Sequence, residues 1–282
     1  MKIGLISIES DHAEDALRLF NCERRWPGFA VTVLWAAEAD ALRARQLAAR
    51  YGVSTIMRQA DEMPGLVDAA IVGARDAGLH AAHALPCLRR GLPVFVDKPL
   101  ALTVADAEAM LDAAEAGGAL LLSASALRWQ ADTDALKAQL PALGRLERVV
   151  ATGSFYPHNP YGGPAFYAVH AVELALEFAG QDIAGIGVTE ATSTAMTITG
   201  RGRLAEVEIR LVRPAEGEPS RFAVELIGRH GRAGGDIGLP DDYMAPVYLC
   251  FVEMIRSGIA PLARRELLAP VRVLEVVNAA LA

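Results

Sequence analysis

Cysteine is scarce in this chain, and positive charge is in deficit. The three cysteines, Cys22, Cys87 and Cys250, lie far apart and form no Cys-x-x-Cys pair. That spacing argues against a disulfide framework, so we expect three reduced thiols in the core of a cytosolic protein. The chain has 27 Lys and Arg against 34 Asp and Glu, a net charge of −7. Nucleic acid or an anionic membrane is therefore excluded as the main partner, because both need a basic surface.

Long hydrophobic runs are also missing. No apolar stretch reaches the ~18 uncharged residues that a transmembrane helix needs. The apolar run at 3–8 is too short for a signal peptide, and no small-residue cleavage site follows it. We therefore expect a cytoplasmic protein with no membrane partner.

What the chain does have is a long alternation of two patterns over its first 125 residues. Hydrophobic residues make up 52% of the 282, enough for a large core. Short apolar runs typical of buried strands lie at 3–6, 31–35, 68–72, 93–96 and 119–122. Helical patterns lie between them at 13–21, 40–51, 79–90 and 104–116. Strand–helix alternation predicts an α/β unit with a doubly wound parallel sheet.

The pattern changes after residue 125. A strand-like run lies at 146–155, and runs that alternate with a period near two lie at 186–199, 203–212 and 221–227. Helices are predicted at 166–178, 246–257 and 266–281. Period-two alternation is typical of a half-buried antiparallel sheet, so residues 126–282 are expected to form a second, α+β domain.

The first chemical signal is Asp97-Lys98-Pro99, directly after the predicted strand 93–96. Open α/β sheets bind ligands at the carboxyl ends of their strands. A lysine there could hydrogen-bond a substrate hydroxyl and stabilise developing negative charge. The alternative is a surface lysine paired with Asp97.

The second signal lies on the predicted helix 166–178. His170 and Glu173 are three residues apart and share a helix face, which Glu177 extends. A histidine beside a carboxylate is a plausible general base. Two alternatives remain: a buried core histidine, and a metal site formed by His170, Glu173 and Glu177. A second weak metal pattern is formed by His80, His83 and Cys87. We predict no metal.

The loop at 155–164 combines aromatic and short polar side chains. Aromatic faces stack on sugar rings while polar groups bind hydroxyls, so the loop suits a sugar-like ligand. An ordinary Pro/Gly loop is the alternative. The substrate-binding candidates are Lys98 after the strand 93–96, Tyr156 and His158 in this loop, and Tyr167 and His170 on the following helix.

The order of these parts resembles the Gfo/Idh/MocA oxidoreductases, a family related to glucose–fructose oxidoreductase and inositol dehydrogenase. The resemblance runs from the first strand through Val94–Ala101 and Leu127-Arg128-Trp129 to Tyr167–Glu173. It implies a Rossmann-like dinucleotide-binding domain at 1–125. It also implies a C-terminal domain at 126–282 whose large open, mostly antiparallel sheet joins subunits as a dimer or tetramer.

The resemblance also implies an activity: hydride transfer between NAD(P) and a hydroxyl of a sugar or polyol. Asp97-Lys98-Pro99 is similar to the family's Glu-Lys-Pro motif. His170 matches the family's catalytic histidine, and Glu173 the acidic residue after it. Lys98, His170 and Glu173 are therefore the catalytic candidates.

Two departures from the family stand out. Where the family has the phosphate-binding fingerprint G-x-G-x-x-G, this chain reads Ser7-Ile8-Glu9-Ser10-Asp11-His12. The glycines normally let the backbone approach the pyrophosphate. Asp11 and Glu14 could instead form a capping box on the following helix. The second departure is Phe166, at a position where the family often has an Asp that works with the histidine.

Other cofactor features are present. Glu38 lies near the end of the second strand, where the family binds ribose hydroxyls, and so favours NAD over NADP. Arg75 could balance the pyrophosphate charge. The expected cofactor-binding residues are Ser7, Ile8, Glu38, Arg75, Asp97 and Lys98.

We therefore expect an NAD(P)-dependent oxidoreductase for a sugar, polyol or related hydroxy compound. Two alternatives follow from the lost glycines, and in both the cofactor could be absent. The chain could bind a sugar-like ligand or a partner without redox turnover. It could also be a non-redox lyase or glycosidase-type enzyme.

Overall fold

The computed structural model describes residues 1–181 and 183–281. They form two compact units. Unit 1 contains Met1–Ala101, Ala105–Ser123 and Met244–Ala263, and unit 2 contains Leu102–Val104, Ala124–Tyr243 and the chain from Arg264 onwards. The chain passes from unit 1 into the longest segment of unit 2 between Ser123 and Ala124, close to residue 125.

Unit 1 is built on a parallel sheet. Its described strands are β1 (Lys2–Ile6), β2 (Ala30–Trp35), β3 (Thr55–Met57), β4 (Ala69–Val72), β5 (Val94–Val96) and β6 (Leu121–Leu122). Their order across the sheet is β3-β2-β1-β4-β5-β6. β4 and β5 are buried throughout, because helices cover both faces of such a sheet. The order reverses between β1 and β4, which is where doubly wound sheets bind ligands.

The helices of this part of the chain follow the predicted alternation. They are α1 (Asp11–Leu17), α2 (Ala41–Tyr51), α3 (His80–Leu88), α4 (Val104–Gly117) and, far along the chain, α7 (Ala245–Ser257). A π-helical turn at Arg18–Cys22 continues α1, so the predicted helix 13–21 is present in two parts. Strand β3 was not predicted, because three residues are too few to show a period.

Unit 2 carries a mixed sheet. Its described strands are β7 (Leu146–Ser154), β8 (Ala184–Ala191), β9 (Ala195–Arg201), β10 (Glu206–Val212), β11 (Ala223–Gly228) and β12 (Gly231–Asp236), in the order β12-β11-β7-β10-β9-β8. β7 and β10 are parallel, and the other described pairings are antiparallel. The predicted fold class, a parallel Rossmann-like sheet plus a mostly antiparallel one, is confirmed.

The helices of unit 2 are α5 (Ala131–Leu143), α6 (Ala165–Ala179) and α8 (Arg264–Ala279). Helix α6 lies on β7 at close range. A Cβ added at Gly153 would come within 2.7 Å of the Ala171 Cβ, so a glycine in the strand lets the helix approach. Apolar burial along α6 holds its few polar side chains in fixed positions.

Some sequence expectations were wrong. The run 186–199 is not one strand but the hairpin β8–β9. Its turn is closed by the Thr192 hydroxyl, which accepts the Ala195 N–H at 2.9 Å. Neither β12 nor α5 was predicted, and β12, with the sequence GRAGGD, has no apolar alternation to read.

The cysteines were also misplaced in part. Cys87 is buried, but Cys22 is exposed and Cys250 is only partly covered, so they are not three core thiols. Burial raises the pKa of Cys87 to about 12. In the described part of the chain, none of the helices has the length and apolar character needed to cross a bilayer.

Candidate active site

The turn after β1 keeps its shape without glycine. Ser7 takes the left-handed conformation, with φ 68°, which favours glycine. Its N–H donates to the Trp35 carbonyl at 2.9 Å. Across the turn, a Cβ added at Gly73 would lie 3.2 Å from the Ser7 carbonyl oxygen. The turn therefore contains a left-handed residue and a close backbone approach without a glycine at position 7.

The polar groups of this turn bond to the chain itself. The Ser10 hydroxyl donates to the Gly73 carbonyl at 2.9 Å and accepts the Ala13 N–H at 3.4 Å. The capping-box prediction was wrong, since Ser10 caps α1 rather than Asp11. Glu14 accepts hydrogen bonds from Arg50 and Tyr51 instead.

Other predicted cofactor residues lie around the same edge of the sheet. The Glu9 carboxylate accepts the backbone N–H of Arg75 at 2.9 Å. Arg75 is half-buried, and Glu38 is exposed in the 3-10 turn that follows β2. Ile8 is completely buried, so its side chain packs in the core.

Asp97 and Lys98 lie directly after β5 and are both buried, at 4% and 7% exposed. The Asp97 Oδ1 accepts the Lys98 N–H at 2.8 Å, and its Oδ2 lies 2.8 Å from His12 Nδ1. Burial alone would raise the pKa of Asp97, but the charges of His12 and Lys98 outweigh burial and hold that pKa well below its ordinary value. Asp97 is therefore an ionised carboxylate inside unit 1.

Sequence reasoning missed His12. The signal was present, because His12 occupies the last position of the six-residue fingerprint, where a glycine normally lets the helix approach the sheet. Its imidazole pairs with Asp97 instead.

In unit 2, His170 is held by a hydroxyl. Its Nδ1 lies 2.7 Å from the Ser125 Oγ, and its ring meets Phe222 edge-on at 5.0 Å. Ser125 also donates its backbone N–H to Glu173 Oε2 at 2.9 Å. Ser125, which sequence reasoning did not select, therefore links the histidine to the carboxylate.

Glu173 belongs to a buried ion network. Arg128 lies 3.6 Å from Glu173 and 2.6 Å from Glu177, and Lys137 lies 3.0 Å from Glu177. Glu173 is 3% exposed. Burial raises its pKa to about 7, against the opposing charge of Arg128 and the Ser125 hydrogen bond. Sequence reasoning quoted Arg128 only as part of a motif.

The aromatic residues of the predicted sugar site do cluster. The rings of Tyr156 and Tyr167 lie 4.6 Å apart, and Phe166 contacts Tyr167 at 5.0 Å and Tyr161 at 5.9 Å. These rings are half-buried, and His158 in the same loop is exposed. Phe166 thus extends an apolar surface one helical turn before His170.

The two metal alternatives gain no support from the described residues, in which no group of three or more His, Cys, Asp or Glu could hold an ion. Both ring nitrogens of His80 face backbone carbonyls, Pro99 O at 2.9 Å and Ala74 O at 2.8 Å. Glu177 is bonded to Arg128 and Lys137.

The backbone of unit 1 is compatible with a bound dinucleotide. Ser7 supplies the bend and Gly73 the close approach, both at the point where the strand order reverses. The side chains oppose the phosphates in charge, because Glu9 and Asp11 lie beside the start of α1. Asp11 is exposed and Glu9 is half-buried, so at ~4 Å and a dielectric close to that of water each such contact costs about 1 kcal/mol.

Comparison with known proteins agrees with this fold. Residues 3–125 match the family model GFO_IDH_MocA, described as an oxidoreductase family with an NAD-binding Rossmann fold. Over 146 residues, 48% of this chain, the sequence is 32% identical to a putative UDP-kanosamine synthase oxidoreductase subunit of Amycolatopsis mediterranei. Over 225 residues, 70% of this chain, it is 29% identical to an inositol 2-dehydrogenase of Mycolicibacterium gilvum. The matches span only 40% and 62% of those two relatives.

The likeness in structure extends over both units. The scyllo-inositol dehydrogenase of Lactobacillus casei, solved with NAD(H) and scyllo-inositol, superposes with a TM-score of 0.81 over 98% of this chain and 95% of that one. At 14% identity this likeness shows the fold alone. The family model that matches residues 3–125 describes oxidoreductases with an NAD-binding Rossmann fold, so this stretch of the chain is similar to the Gfo/Idh/MocA family.

Proposed function

We propose that this protein transfers a hydride between a nicotinamide cofactor and a hydroxyl-bearing carbon of a sugar, polyol or related compound. The observation that carries the proposal is Lys98, a buried cation at the carboxyl end of β5 beside an ionised carboxylate. Lysine is almost never buried unless it is paired or functional. Its position after β5 is the ligand-binding edge of the sheet.

Lys98 would act on the reacting oxygen. An ammonium group donating to a substrate hydroxyl stabilises the negative charge that develops on the oxygen as the proton leaves. Low exposure strengthens that interaction, because water competes less. The proton needs a basic acceptor, for which the sequence predicts His170.

The cofactor supplies the hydride acceptor or donor when it is bound. Glu38 would bind the adenosine ribose hydroxyls, which favours NAD over NADP. The backbone of Ser7 and Ile8 would border the pyrophosphate, with Arg75 as its counter-charge. Asp97 and Lys98 would border the nicotinamide end of the cofactor.

Unit 2 would hold the substrate. The half-buried rings of Tyr156 and Tyr167 offer apolar faces to a sugar ring, and His158 and His170 offer polar groups to its hydroxyls. An inositol 2-dehydrogenase and a scyllo-inositol dehydrogenase are among the proteins similar to this chain, so myo-inositol and scyllo-inositol are suitable first probes. We also propose that the sheet of unit 2 joins subunits into a dimer or tetramer.

The test begins with cofactor binding. Titration with NADH and NADPH, followed by nicotinamide fluorescence, should show saturable binding with NADH favoured. Lys98→Ala should then abolish NAD⁺ reduction with the inositols while NADH still binds. Lys2→Ala is the matched control, because Lys2 is exposed at the opposite end of the sheet. An absence of NADH binding at millimolar concentration would reject the proposal.

One observation favours a second candidate, a protein that binds a sugar-like ligand without redox turnover. Glu9 and Ser10 already satisfy backbone groups at the turn where a pyrophosphate would bind. This candidate predicts no NADH binding, but saturable binding of an inositol by calorimetry.

A further inference from the structure

A cavity of about 400 Å³, here called the β2 cavity, lies in unit 1 at the amino end of β2. A volume of this size accommodates a small molecule. Its lining includes Phe20, Arg24, Trp26, Phe29, Thr32 and Tyr51. Because β1, β2, β4 and β5 run parallel, this end of the sheet is opposite to the end that carries Lys98. The β2 cavity is therefore separate from the ligand-binding edge used in the proposed reaction.

Aromatic rings form the apolar part of the β2 cavity. The rings of Phe20 and Trp26 contact each other at 4.6 Å, and Trp26 is only 6% exposed. The Tyr51 hydroxyl donates to Glu14 Oε1 at 2.8 Å, which holds that ring in place. A flat ring placed against such a wall buries apolar area and stacks favourably. The wall therefore favours an aromatic ligand over a purely aliphatic one.

The backbone at Arg24 is strained. This residue takes the left-handed conformation, with φ 50°, which long side chains rarely adopt. Its neighbours are bonded to the preceding turn, the Glu23 N–H to the Arg18 carbonyl at 2.9 Å and the Arg25 N–H to the Leu19 carbonyl at 3.1 Å. In the part of the chain that the structure describes, the exposed Arg24 side chain has neither a hydrogen-bond nor an ion-pair partner. Strained residues cluster at ligand-binding positions.

Strand β2 is irregular where it borders the cavity. Ile3 pairs with Val31 but Gly4 pairs with Val33, so Thr32 is an extra residue in the register between β1 and β2. Such an insertion redirects a side chain. The Thr32 hydroxyl is buried, and no group within residues 1–181 and 183–281 hydrogen-bonds to it. An unpaired buried hydroxyl costs free energy, and a bound molecule that pairs with it removes that cost.

The charge of the lining decides which ligand fits. Arg24 is the one charged residue among the described lining residues, and no carboxylate competes for it there. The Trp26 indole N–H also has no acceptor in the described part of the chain. Asn21 is already occupied, since its amide bonds the Val31 backbone at 2.8 and 2.9 Å and the Tyr51 carbonyl at 2.9 Å. A cation with further donors beside it suits an anionic group.

We propose that the β2 cavity binds a small aromatic carboxylate. The ring of the ligand packs against Trp26. Its carboxylate accepts two hydrogen bonds from the guanidinium of Arg24, a pairing that the planar fork of arginine favours, and one from the Thr32 hydroxyl. The inference goes beyond the proposed function and does not depend on it, because these residues lie at the other end of the sheet from Lys98.

The first experiment observes Trp26 directly. The chain has three tryptophans, so ¹H–¹⁵N spectra contain three indole signals, and Trp26→Phe assigns the one from the cavity. Benzoate should move that signal saturably at about millimolar concentration, the affinity expected of a ligand with so few atoms. Benzamide lacks the charge and acetate lacks the ring, so both should bind at least about tenfold more weakly. A Trp26 signal unmoved by benzoate, or moved equally by all three compounds, would overturn the proposal.

The second experiment measures benzoate affinity in variants. Arg24→Gln should weaken binding at least about tenfold, whereas Arg90→Gln removes the same charge from an exposed position of unit 1 and should change nothing. Thr32→Val keeps the side-chain shape, removes the hydroxyl and should also weaken binding.

A further variant, Arg24→Gly, separates binding from folding. Glycine adopts this φ without strain, so thermal unfolding should show a folded protein that binds benzoate as weakly as Arg24→Gln does. Wild-type affinity in either Arg24→Gly or Thr32→Val would contradict the assignment of the carboxylate to these two residues.

Discussion

The two units each bury a histidine next to a carboxylate, yet the two pairs differ in charge. In unit 1, Asp97 bonds His12 directly and lies beside Lys98, and the two cations hold its pKa down. In unit 2, Ser125 stands between His170 and Glu173. There burial prevails over the charge of Arg128 and raises the pKa of Glu173 to about 7.

The difference shows that burial alone does not decide whether a carboxylate is ionised. Both side chains are almost fully covered, at 4% and 3% exposed. The interactions of Asp97 with His12 and Lys98 outweigh the cost of desolvation. At Glu173, the single guanidinium is shared with Glu177, whose negative charge also raises the pKa.

The largest expected effect comes from removing that guanidinium. Arg128→Met should lower the free energy of unfolding by about 3–5 kcal/mol, because it leaves a buried carboxylate uncompensated. Urea denaturation measures the loss. Lys137→Met is the control, since Lys137 contacts Glu177 at 3.0 Å but is 31% exposed, and it should cost about 1 kcal/mol or less. Equal losses would mean that burial of the ion pair is not what stabilises this network.

The pH dependence of stability should separate the two carboxylates. Glu173 titrates near 4.5 when unfolded and near 7 when folded, so the folded chain holds the extra proton between those pH values. Its contribution to stability is complete below pH 4.5 and is lost as the pH rises to about 7. The size is on the order of 3 kcal/mol. Asp97 behaves oppositely: its contribution is present above its ordinary pKa and is lost as the pH falls below it.

Two variants test this assignment by urea denaturation at successive pH values. Glu173→Gln should abolish the loss of stability between pH 4.5 and 7 and leave the loss at acidic pH unchanged. Asp97→Asn should reduce the loss of stability at acidic pH and leave the loss above pH 4.5 unchanged. A Glu173→Gln profile identical to that of the wild type would show that the raised pKa does not belong to Glu173.

A smaller effect is expected at Ser125. Ser125→Ala removes the hydroxyl facing His170 and should cost about 1–3 kcal/mol, while altering the tautomer balance of His170 in ¹⁵N NMR. Ser123→Ala is the matched control in unit 1, because the Ser123 hydroxyl makes only a 3.4 Å contact with the Asp97 carbonyl. An unchanged His170 tautomer would show that the Ser125 hydroxyl does not determine which ring nitrogen of His170 carries the proton.

The smallest effect concerns cofactor affinity in unit 1. Glu9→Gln combined with Asp11→Asn should tighten NADH binding about tenfold at low salt, since two carboxylates no longer oppose the pyrophosphate, and less at high salt. Asp61→Asn with Glu62→Gln removes the same charge from an exposed turn and should change little. Equal affinities for all three proteins would place the pyrophosphate away from Glu9 and Asp11.

Much of the architecture was readable from local patterns. The strand–helix alternation predicted the parallel sheet, and Asp97-Lys98-Pro99 was expected at a strand end, where it lies. Elements without a strong period were missed, as at β3 and β12. The hairpin β8–β9 was merged into one strand, because Thr192 and its neighbours interrupt the alternation only briefly.

Contacts between distant residues were out of reach. His12 and Asp97 are 85 positions apart, and Ser125 and His170 are 45 apart. Apolar periodicity reports which face of each element is buried, so it was enough to define most of the strands and helices and the strand end that carries Lys98. Which polar groups meet once those elements pack depends on helix and strand placement to within an ångström. Only the packing of the folded chain brings His12 to Asp97 and the Ser125 hydroxyl to His170.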